Sequence, residues 1–362
     1  MLKLLLFSSL IFGAHTFAQI TITKTDFVVG GDTVGYTSAA TTGVDFQTTG
    51  PNSTWDYSQL VSQTPDNYYF LPPSAINGLA MLHFGTFAAT KYKASYFMES
   101  SALPIAQVAQ LISLPIETLY EYTRITNDSL TAVGYSFLVN GQQISFKADT
   151  IEKKYKFPFT YQSTWTGRGY SDIDLNPAFD AIWRQKKQRA SIVDGWGTLT
   201  TPYGTYPAVR VRHEIKEQDS IRLTVPVIGQ TWVPISLPTK YEYEFWTNNQ
   251  KIPVLKITTN KVGNNEVVSA VEYKSDVVLG LNDLGMNTIS VYPNPTQNIL
   301  HIEGYPTNAQ FKIMDLTGHE VMQMNALGVQ HHQVDVSALA SGTYILIVSS
   351  DDQLENHIFV KE

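Results

Sequence analysis

Short runs of alternating apolar and polar residues, separated by turn residues, recur along most of this 362-residue chain. Residues 135–146 contain Asn140-Gly141, the dipeptide that best tolerates positive φ at both turn positions of a hairpin. Three further runs, 241–246, 252–258 and 266–273, are separated by turns that contain Asn or Gly. Because successive side chains of a strand point to opposite faces, this pattern predicts an all-β protein built mostly from antiparallel sheet.

A convincing helical pattern occurs in one segment, residues 103–119. Ile105, Val108 and Ile112 recur there at helical spacing, and a proline lies near each end of the run. We therefore expect one short amphipathic helix within a large β-rich region.

The composition favours sheet and excludes several classes of function. Charged residues make up only 16% of the chain, and the net charge is −7 without a cluster of Lys and Arg, which argues against nucleic-acid binding. The chain contains no cysteine, which excludes disulfides, thiolate metal sites and cysteine nucleophiles. It also has no glycine-rich phosphate loop, and we expect no cofactor.

The first 18 residues have the pattern of a secretory signal peptide. Lys3 supplies the positive charge, residues 4–14 form an apolar run, and Ala18 is a small residue before the expected cut. No later stretch is long and apolar enough to cross a bilayer as a helix. We expect a mature protein that begins at Gln19 and has no membrane span.

Residues 276–288 interrupt the alternation with several Gly and Asn residues, which predicts a linker. The linker would separate a β-rich cargo region, residues 19–275, from a C-terminal domain, residues 289–362. Seven short runs recur in that domain at spacings of about 8 to 12 residues, and this spacing predicts a compact antiparallel sandwich.

Several motifs follow one another in the C-terminal domain. Tyr292-Pro293-Asn294-Pro295 comes first, followed by the Asp- and Gly-containing turn at 315–321. Residues 334–339 then lead into Ser341-Gly342-Thr343-Tyr344, and Lys361 stands next to the last residue. This order of motifs resembles the type A C-terminal sorting domain of the type IX (Por) secretion system of Bacteroidetes.

The resemblance implies an immunoglobulin-like β-sandwich that directs a cargo from the periplasm through an outer-membrane translocon. It also implies that a sortase-like peptidase then removes the domain, so that the cargo is released outside the cell or joined to lipopolysaccharide on its surface. The sorting signal would include Pro293, Asn294, Pro295, Gly342, Tyr344 and Lys361. The cargo segment 195–211 similarly resembles secreted proteins of unknown activity that precede such domains.

Few residues of the cargo region suggest catalysis. Only His83 and His213 lie there, neither near a nucleophile motif, and the strand pattern around His213 predicts a core-facing side chain. Glu242 and Glu244 share a strand face, as the two carboxylates of a glycoside hydrolase could. The alternative is a ladder of ion pairs between these carboxylates and the arginines at 210 and 212.

Two weaker site hypotheses concern a cation and a ligand. Asp172, Asp174 and Asn176 alternate like the first half of a calcium loop, although the Gly and Glu that complete such a loop are missing, and a turn capped by these side chains explains them equally well. Trp196 lies between two glycines in an expected turn, where an exposed indole could stack on a sugar ring or contact a partner protein.

By resemblance to the same phylum, Asp followed by Ser or Thr and then by an apolar residue or Thr is a signal for O-glycosylation. The candidate acceptors are Thr33, Ser129, Thr150 and Ser220. Taken together, the sequence predicts a secreted or surface protein whose cargo binds a glycan or a surface partner without catalysis. The alternatives are an extracellular carboxylate-dependent glycoside hydrolase and a purely structural surface protein.

Overall fold

A computed structural model describes residues 19–101, 103–105, 108, 116–139, 142–176, 179–225, 229–276, 289–303, 305, 309–315, 319–325, 331–349 and 354–362. The chain divides into two compact units, Met1–Val278 and Leu279–Glu362. The expected signal peptide and all but the first residue of the expected linker lie outside the described residues. Both units consist mainly of strands, so the protein is all-β.

The first unit is built on one large sheet with short helical segments at its ends. The α-helix α1 spans Gly78–Phe84, and 3-10 turns span Lys24–Asp26, Pro73–Ala75 and Thr90–Tyr92. Its strands are β1 (Thr33–Ser38), β2 (Gly50–Asp56), β3 (Thr64–Tyr69), β4 (Tyr96–Glu99), β5 (Ile116–Ile125), β6 (Ser129–Val139), β7 (Gln142–Lys156), β8 (Thr164–Asp174), β9 (Ala181–Thr201), β10 (Gly204–Val225), β11 (Gly229–Ile235), β12 (Lys240–Trp246), β13 (Leu255–Val262) and β14 (Asn265–Lys274).

The strands follow the order β3-β1-β14-β13-β12-β10-β9-β8-β7-β6-β5-β4, with each neighbouring pair antiparallel. The two ends of this path meet where Leu71 and Phe97 exchange backbone hydrogen bonds of 2.8 and 3.0 Å. The sheet therefore closes on itself and encloses an interior. The predicted hairpin is present as β6 and β7, while its turn residues Asn140 and Gly141 lie outside the described residues.

The interior has a charged layer between two apolar layers, which the inward residues of β9 trace along the strand. Trp183 belongs to one apolar cluster and Val193 to another, and both are fully buried. Between them, alternate positions carry Gln185, Lys187 and Arg189, which are also buried. Since buried charges are costly unless they are paired, this middle layer is where a function is to be sought.

The helical prediction is confirmed at the described residues in the first half of its range and extends too far at its end. Ile105 and Val108 are helical, but residues 116–119 belong to β5, and most of the intervening segment lies outside the described residues. The helix α1 falls in a segment where the sequence predicted none. Its seven residues are too few to show a clear periodicity, and it is held by Phe84, which stacks on Tyr122 with 4.1 Å between ring centroids.

The second unit contains two small antiparallel sheets around one core. The strands are β15 (Ser290–Tyr292), β16 (Ile299–Glu303), β17 (Gln310–Asp315), β18 (Glu320–Asn325), β19 (His331–Asp335), β20 (Gly342–Ser349) and β21 (Leu354–Lys361). One sheet has the order β15-β16-β19 and the other β18-β17-β20-β21. Leu300 from the first sheet and Phe311, Leu346 and Phe359 from the second are completely buried in the shared core.

Within the described part of the chain, no helix has the length and apolar character needed to cross a membrane.

A charged cavity and a sorting edge as candidate functional sites

Arg189 lies at the centre of the charged layer. Its guanidinium donates from Nε to Glu152 Oε1 at 2.7 Å and from Nη1 to Glu242 Oε2 at 3.1 Å. Burial by itself would raise the pKa of the Glu152 carboxyl, but Arg189, Lys187 and Lys154 outweigh it and lower the pKa to about 2. Glu152 is therefore ionised across the physiological range.

Four further ion pairs surround this centre on neighbouring strands. They join Lys154 to Glu121 at 2.5 Å, Lys187 to Glu217 at 3.3 Å, Lys240 to Glu242 at 2.9 Å and Lys256 to Glu272 at 2.7 Å. Most of these side chains line a cavity of about 480 Å³ inside the closed sheet. Its volume lies within the range of about 300–1,000 Å³ that is typical of small-molecule sites.

Glu244 lies beside Glu242 on the inner face of β12, and aromatic side chains donate hydrogen bonds to it. Its carboxylate accepts hydrogen bonds from the Tyr155 hydroxyl and from Trp246 Nε1, the latter at 2.9 Å. His213 Nε2 lies 3.5 Å away, too far for a good hydrogen bond, while His213 Nδ1 contacts Ser191 Oγ at 2.7 Å. His213 is fully buried in the core, as its strand pattern predicts, although a core histidine of this kind was expected to have a backbone partner and its partner is the side chain of Ser191.

The hypothesis of acid/base catalysis gains no support from these environments. Burial disfavours the charged form of Glu242, but Lys240 and Arg189 hold its pKa well below the usual value. Burial likewise opposes ionisation of Glu244, and the interactions with His213 and Tyr155 still lower its pKa. A glycoside hydrolase of this type needs one carboxyl with a raised pKa as the proton donor, and neither glutamate has one.

The expected ladder with Arg210 and Arg212 was wrong because the register differs by one residue. Arg210 stands opposite Phe245 and Arg212 opposite Tyr243, so both arginines point outward. Arg210 forms a two-pronged ion pair with Asp194, with both contacts at 2.8 Å. The cations that neutralise Glu242 come instead from β9 and from the start of β12.

Asp219 is a buried carboxyl that the sequence indicated only as part of a glycosylation signal and not as a catalytic or binding residue. Only 4% of it is exposed, and its Oδ2 accepts a 2.8 Å hydrogen bond from Trp183 Nε1. Burial and the nearby charge of Glu217 raise the pKa of Asp219 to about 7. Strand alternation on β10 could have indicated its inward position, since Ile215 and Ile221 lie on the same face.

Trp196 lies within β9, so the expected turn was wrong. The glycines on either side of it allow β2 to run parallel to β9 at very close range. A Cβ added to Gly197 would lie 1.8 Å from the Ser53 carbonyl oxygen. The indole is half-buried against the apolar cluster that contains Val193, so little of it is free to stack on a ligand.

The calcium hypothesis loses its first proposed ligand. Asp172 is held by Arg184 through contacts of 2.7 and 2.8 Å, which places a cation on both of its oxygens. Asp174 Oδ1 accepts hydrogen bonds from the backbone and side-chain nitrogens of Asn176, as in a capped turn. Among the described residues, no group of three or more His, Asp or Glu side chains is placed to hold a metal ion.

The four candidate glycosylation positions differ in accessibility. Thr33 and Thr150 are exposed, whereas Ser129 and Ser220 are half-buried. The aspartate that precedes Ser220 is the buried Asp219. Thr33 and Thr150 therefore remain the better placed acceptors in the folded protein, and their modification stays a prediction.

The predicted sorting residues meet around β21. Asn294 Nδ2 donates to the Ile358 carbonyl and Asn294 Oδ1 accepts from the Val360 N–H, both at 2.9 Å. Thr296, which follows Pro295, forms a short parallel bridge with Lys361. The segment that begins with Tyr292-Pro293 thus covers the free edge of the last strand, which we call the sorting edge.

The other predicted sorting residues lie on the opposite side of the same strand. Gly342 is paired in register with Lys361, and Tyr344 with Phe359. The Tyr344 ring stacks on Phe359, and its hydroxyl donates to the Ala340 carbonyl at 2.9 Å. Lys361 is 8% exposed. Residues separated by up to 68 positions, from Pro293 to Lys361, therefore secure one strand.

Comparison with known families assigns this unit. Residues 290–362 match the family model described as "Secretion system C-terminal sorting domain". The second unit is a type IX C-terminal sorting domain. The protein is accordingly a cargo of the type IX secretion system, delivered to the cell surface or the extracellular space.

The sorting domain accounts for the second unit, and the other comparisons do not assign the first. No curated protein matches the chain. One solved structure, from work entitled "Structural and functional probing of PorZ, an essential bacterial surface component of the type-IX secretion system of human oral-microbiomic Porphyromonas gingivalis", aligns at 9% identity. The alignment covers 88% of this chain and 61% of that one, with a TM-score of 0.20, which establishes no shared fold.

Proposed function

We propose that the sorting domain is of type A and acts after export of the chain to the periplasm by the signal peptide at residues 1–18. The domain is recognised by the outer-membrane translocon and removed by a sortase-like peptidase, which leaves residues 19–275 as a released or surface-attached cargo of a Bacteroidetes cell. The convergence of the predicted sorting residues on β21 supports this proposal, because a terminal strand fastened from both sides presents one defined signal.

Cell fractionation tests the delivery step. The chain without residues 289–362 is expected to accumulate in the periplasm, whereas the full chain reaches the surface or the medium. Gln297→Ala provides a control, because Gln297 is exposed and adjoins the sorting edge. Surface delivery of the truncated chain would contradict the proposal.

For the cargo, the function that the geometry supports best is binding of a glycan or a surface partner without catalysis. The observation that carries this is the environment of the two interior glutamates, which keeps Glu242 and Glu244 ionised, so that neither can donate the proton that hydrolysis needs. A glycan array and a polysaccharide hydrolysis screen on the mature chain test it together. We expect binding without hydrolysis; hydrolysis that disappears in both Glu242→Gln and Glu244→Gln would establish the alternative, a carboxylate-dependent glycoside hydrolase.

A further inference from the structure

The charged cavity of the first unit has the character of a ligand site. It lies inside the closed sheet, against β12–β14 on one side and β3–β4 on the other. Its volume is about 480 Å³, and the lysines at its wall keep part of their surface in contact with solvent, 41% for Lys240 and 31% for Lys256. A small molecule can therefore reach polar groups that lie within the fold.

If the charged layer had only a structural role, it would make the fold less stable than an apolar layer of the same volume. Replacement of buried ion pairs by apolar residues of similar volume is often neutral or stabilising by about 1–4 kcal/mol. The two apolar layers show that this sheet packs apolar side chains on either side of the charged one. Stability alone does not account for the charged layer, whereas a polar ligand does.

Most of the cations that line the cavity are paired with carboxylates, which favours a neutral ligand. Lys154, Lys187, Arg189, Lys240 and Lys256 each have a carboxylate within ion-pair distance. Lys274 donates instead to Gln250 at 2.6 Å, and burial lowers its pKa. An ionic ligand would add an unbalanced charge here, while hydroxyl groups can accept from the lysines and donate to the carboxylates.

Aromatic side chains complete the wall. Tyr36 and Tyr68 stack with 3.8 Å between ring centroids, and Phe70 packs edge-on against Tyr96 at 5.3 Å. Burial and the neighbouring Asp66 raise the pKa of Tyr36 to about 12, so its hydroxyl remains a donor at neutral pH. Flat apolar rings beside paired donors and acceptors match the two kinds of surface on a sugar ring.

From these observations we infer that the cavity binds a short neutral saccharide, with the sugar hydroxyls between the lysine–glutamate pairs and a ring face against the tyrosines. The inference rests on the proposed binding function of the cargo and names its site and its class of ligand.

Calorimetric titration and saturation-transfer NMR on residues 19–362 test the inference, with maltose, cellobiose and lactose as neutral probes. Glucuronic acid and glucosamine serve as the acidic and basic probes. Ala270→Phe places a ring inside the cavity, since Ala270 lines it and is only half-buried. Ser269→Phe adds the same ring at the adjacent exposed position and is the matched control.

We expect a neutral probe to bind and Ala270→Phe to weaken it by more than about tenfold, or about 1.4 kcal/mol, with Ser269→Phe unchanged. Both variants must keep the circular dichroism of the parent; if Ala270→Phe does not, Ala270→Leu replaces it. Saccharide binding that survives the cavity substitution would overturn the site and leave the proposed binding function standing. Tighter binding of a charged probe would overturn the assignment of a neutral ligand. If no saccharide binds here or on the glycan array, both this inference and the proposed binding function are wrong.

Discussion

Asp219 gives the fold a pH dependence that can be measured directly. Its pKa is about 7 in the folded protein, against an ordinary value of 3.8 for an aspartate in water, so protonation favours the fold. Its contribution is fully present below about pH 4 and is lost as the pH rises through 7. At pH 8 this group should make the protein about 2 kcal/mol less stable than at pH 5.

Urea unfolding of Asp219→Asn tests this expectation, since the amide oxygen can still accept from Trp183. The variant should gain stability relative to the parent at pH 8 and much less at pH 5. Asp128→Asn, at an exposed position, is the control and should show no such difference. An equal effect of Asp219→Asn at both pH values would show that the carboxyl ionises normally.

Glu152 has the opposite dependence. Its pKa is lowered from 4.5 to about 2, so the stability it contributes is present above about pH 5 and is lost as the pH falls toward 2. Glu152→Gln leaves the buried Arg189 with less compensation and should cost about 3 kcal/mol at pH 7.

The matched control is Glu214→Gln, which removes an ion pair at the surface with Lys216. Exposed pairs contribute about 0–1 kcal/mol, so this variant should unfold close to the parent in urea. A similar loss of stability in both variants would show that the buried ion pair of Glu152 contributes no more than an exposed one.

At the scale of elements, the close approach of β2 to β9 requires a glycine at position 197, because any larger residue would place a side chain between the two strands. Gly197→Ala would bring a Cβ against the Ser53 carbonyl, so β2 must move and the cluster around Trp55 must loosen. We expect a loss of about 1–3 kcal/mol in urea unfolding and faster proteolysis of residues 44–60. Thr200→Ala on the same strand is the control, and resistance of residues 44–60 equal to that of the parent would contradict the role of Gly197.

A second prediction at this scale concerns the hydrogen bonds of the sorting edge. Asn294→Ala removes the acceptor of the Val360 N–H, so that amide should exchange with solvent faster by about tenfold, equivalent to about 1.4 kcal/mol. The neighbouring Glu362 N–H, which donates to the Thr296 carbonyl, should change less. Hydrogen exchange by NMR measures both, with Gln297→Ala as the control; unchanged protection of Val360 would show that Asn294 does not fasten the strand.

Strand content was readable from the sequence because alternation is a local signal, as Tyr241 to Trp246 illustrates. Register was not, since a shift of one residue reverses every side chain, and this is why Arg210 and Arg212 point away from Glu242. Gly197 was interpreted as part of a turn, because the residue that requires a glycine there, Ser53, is distant in sequence. The cavity was equally hidden, as its walls come from strands that closure of the sheet brings together.

At the scale of the whole molecule, the two units have separate cores. The first is organised around clusters that contain Trp183, Val193 and Phe245, and the second around one that contains Phe311 and Phe359. A unit with its own core can in principle fold alone. This matters for the proposed function, because a cargo from which the sorting domain is cut would have to keep its fold without it.

We therefore expect residues 19–275, expressed without the sorting domain, to melt at the same temperature as the cargo transition of residues 19–362. Calorimetry of both chains and of residues 289–362 alone provides the measurement, and the full chain should show the sum of the two separate transitions. Asn294→Ala is a useful internal marker, because it should lower only the transition of the sorting domain. If it lowers both, or if residues 19–275 melt earlier than the cargo in the full chain, the cargo depends on the sorting domain for its stability.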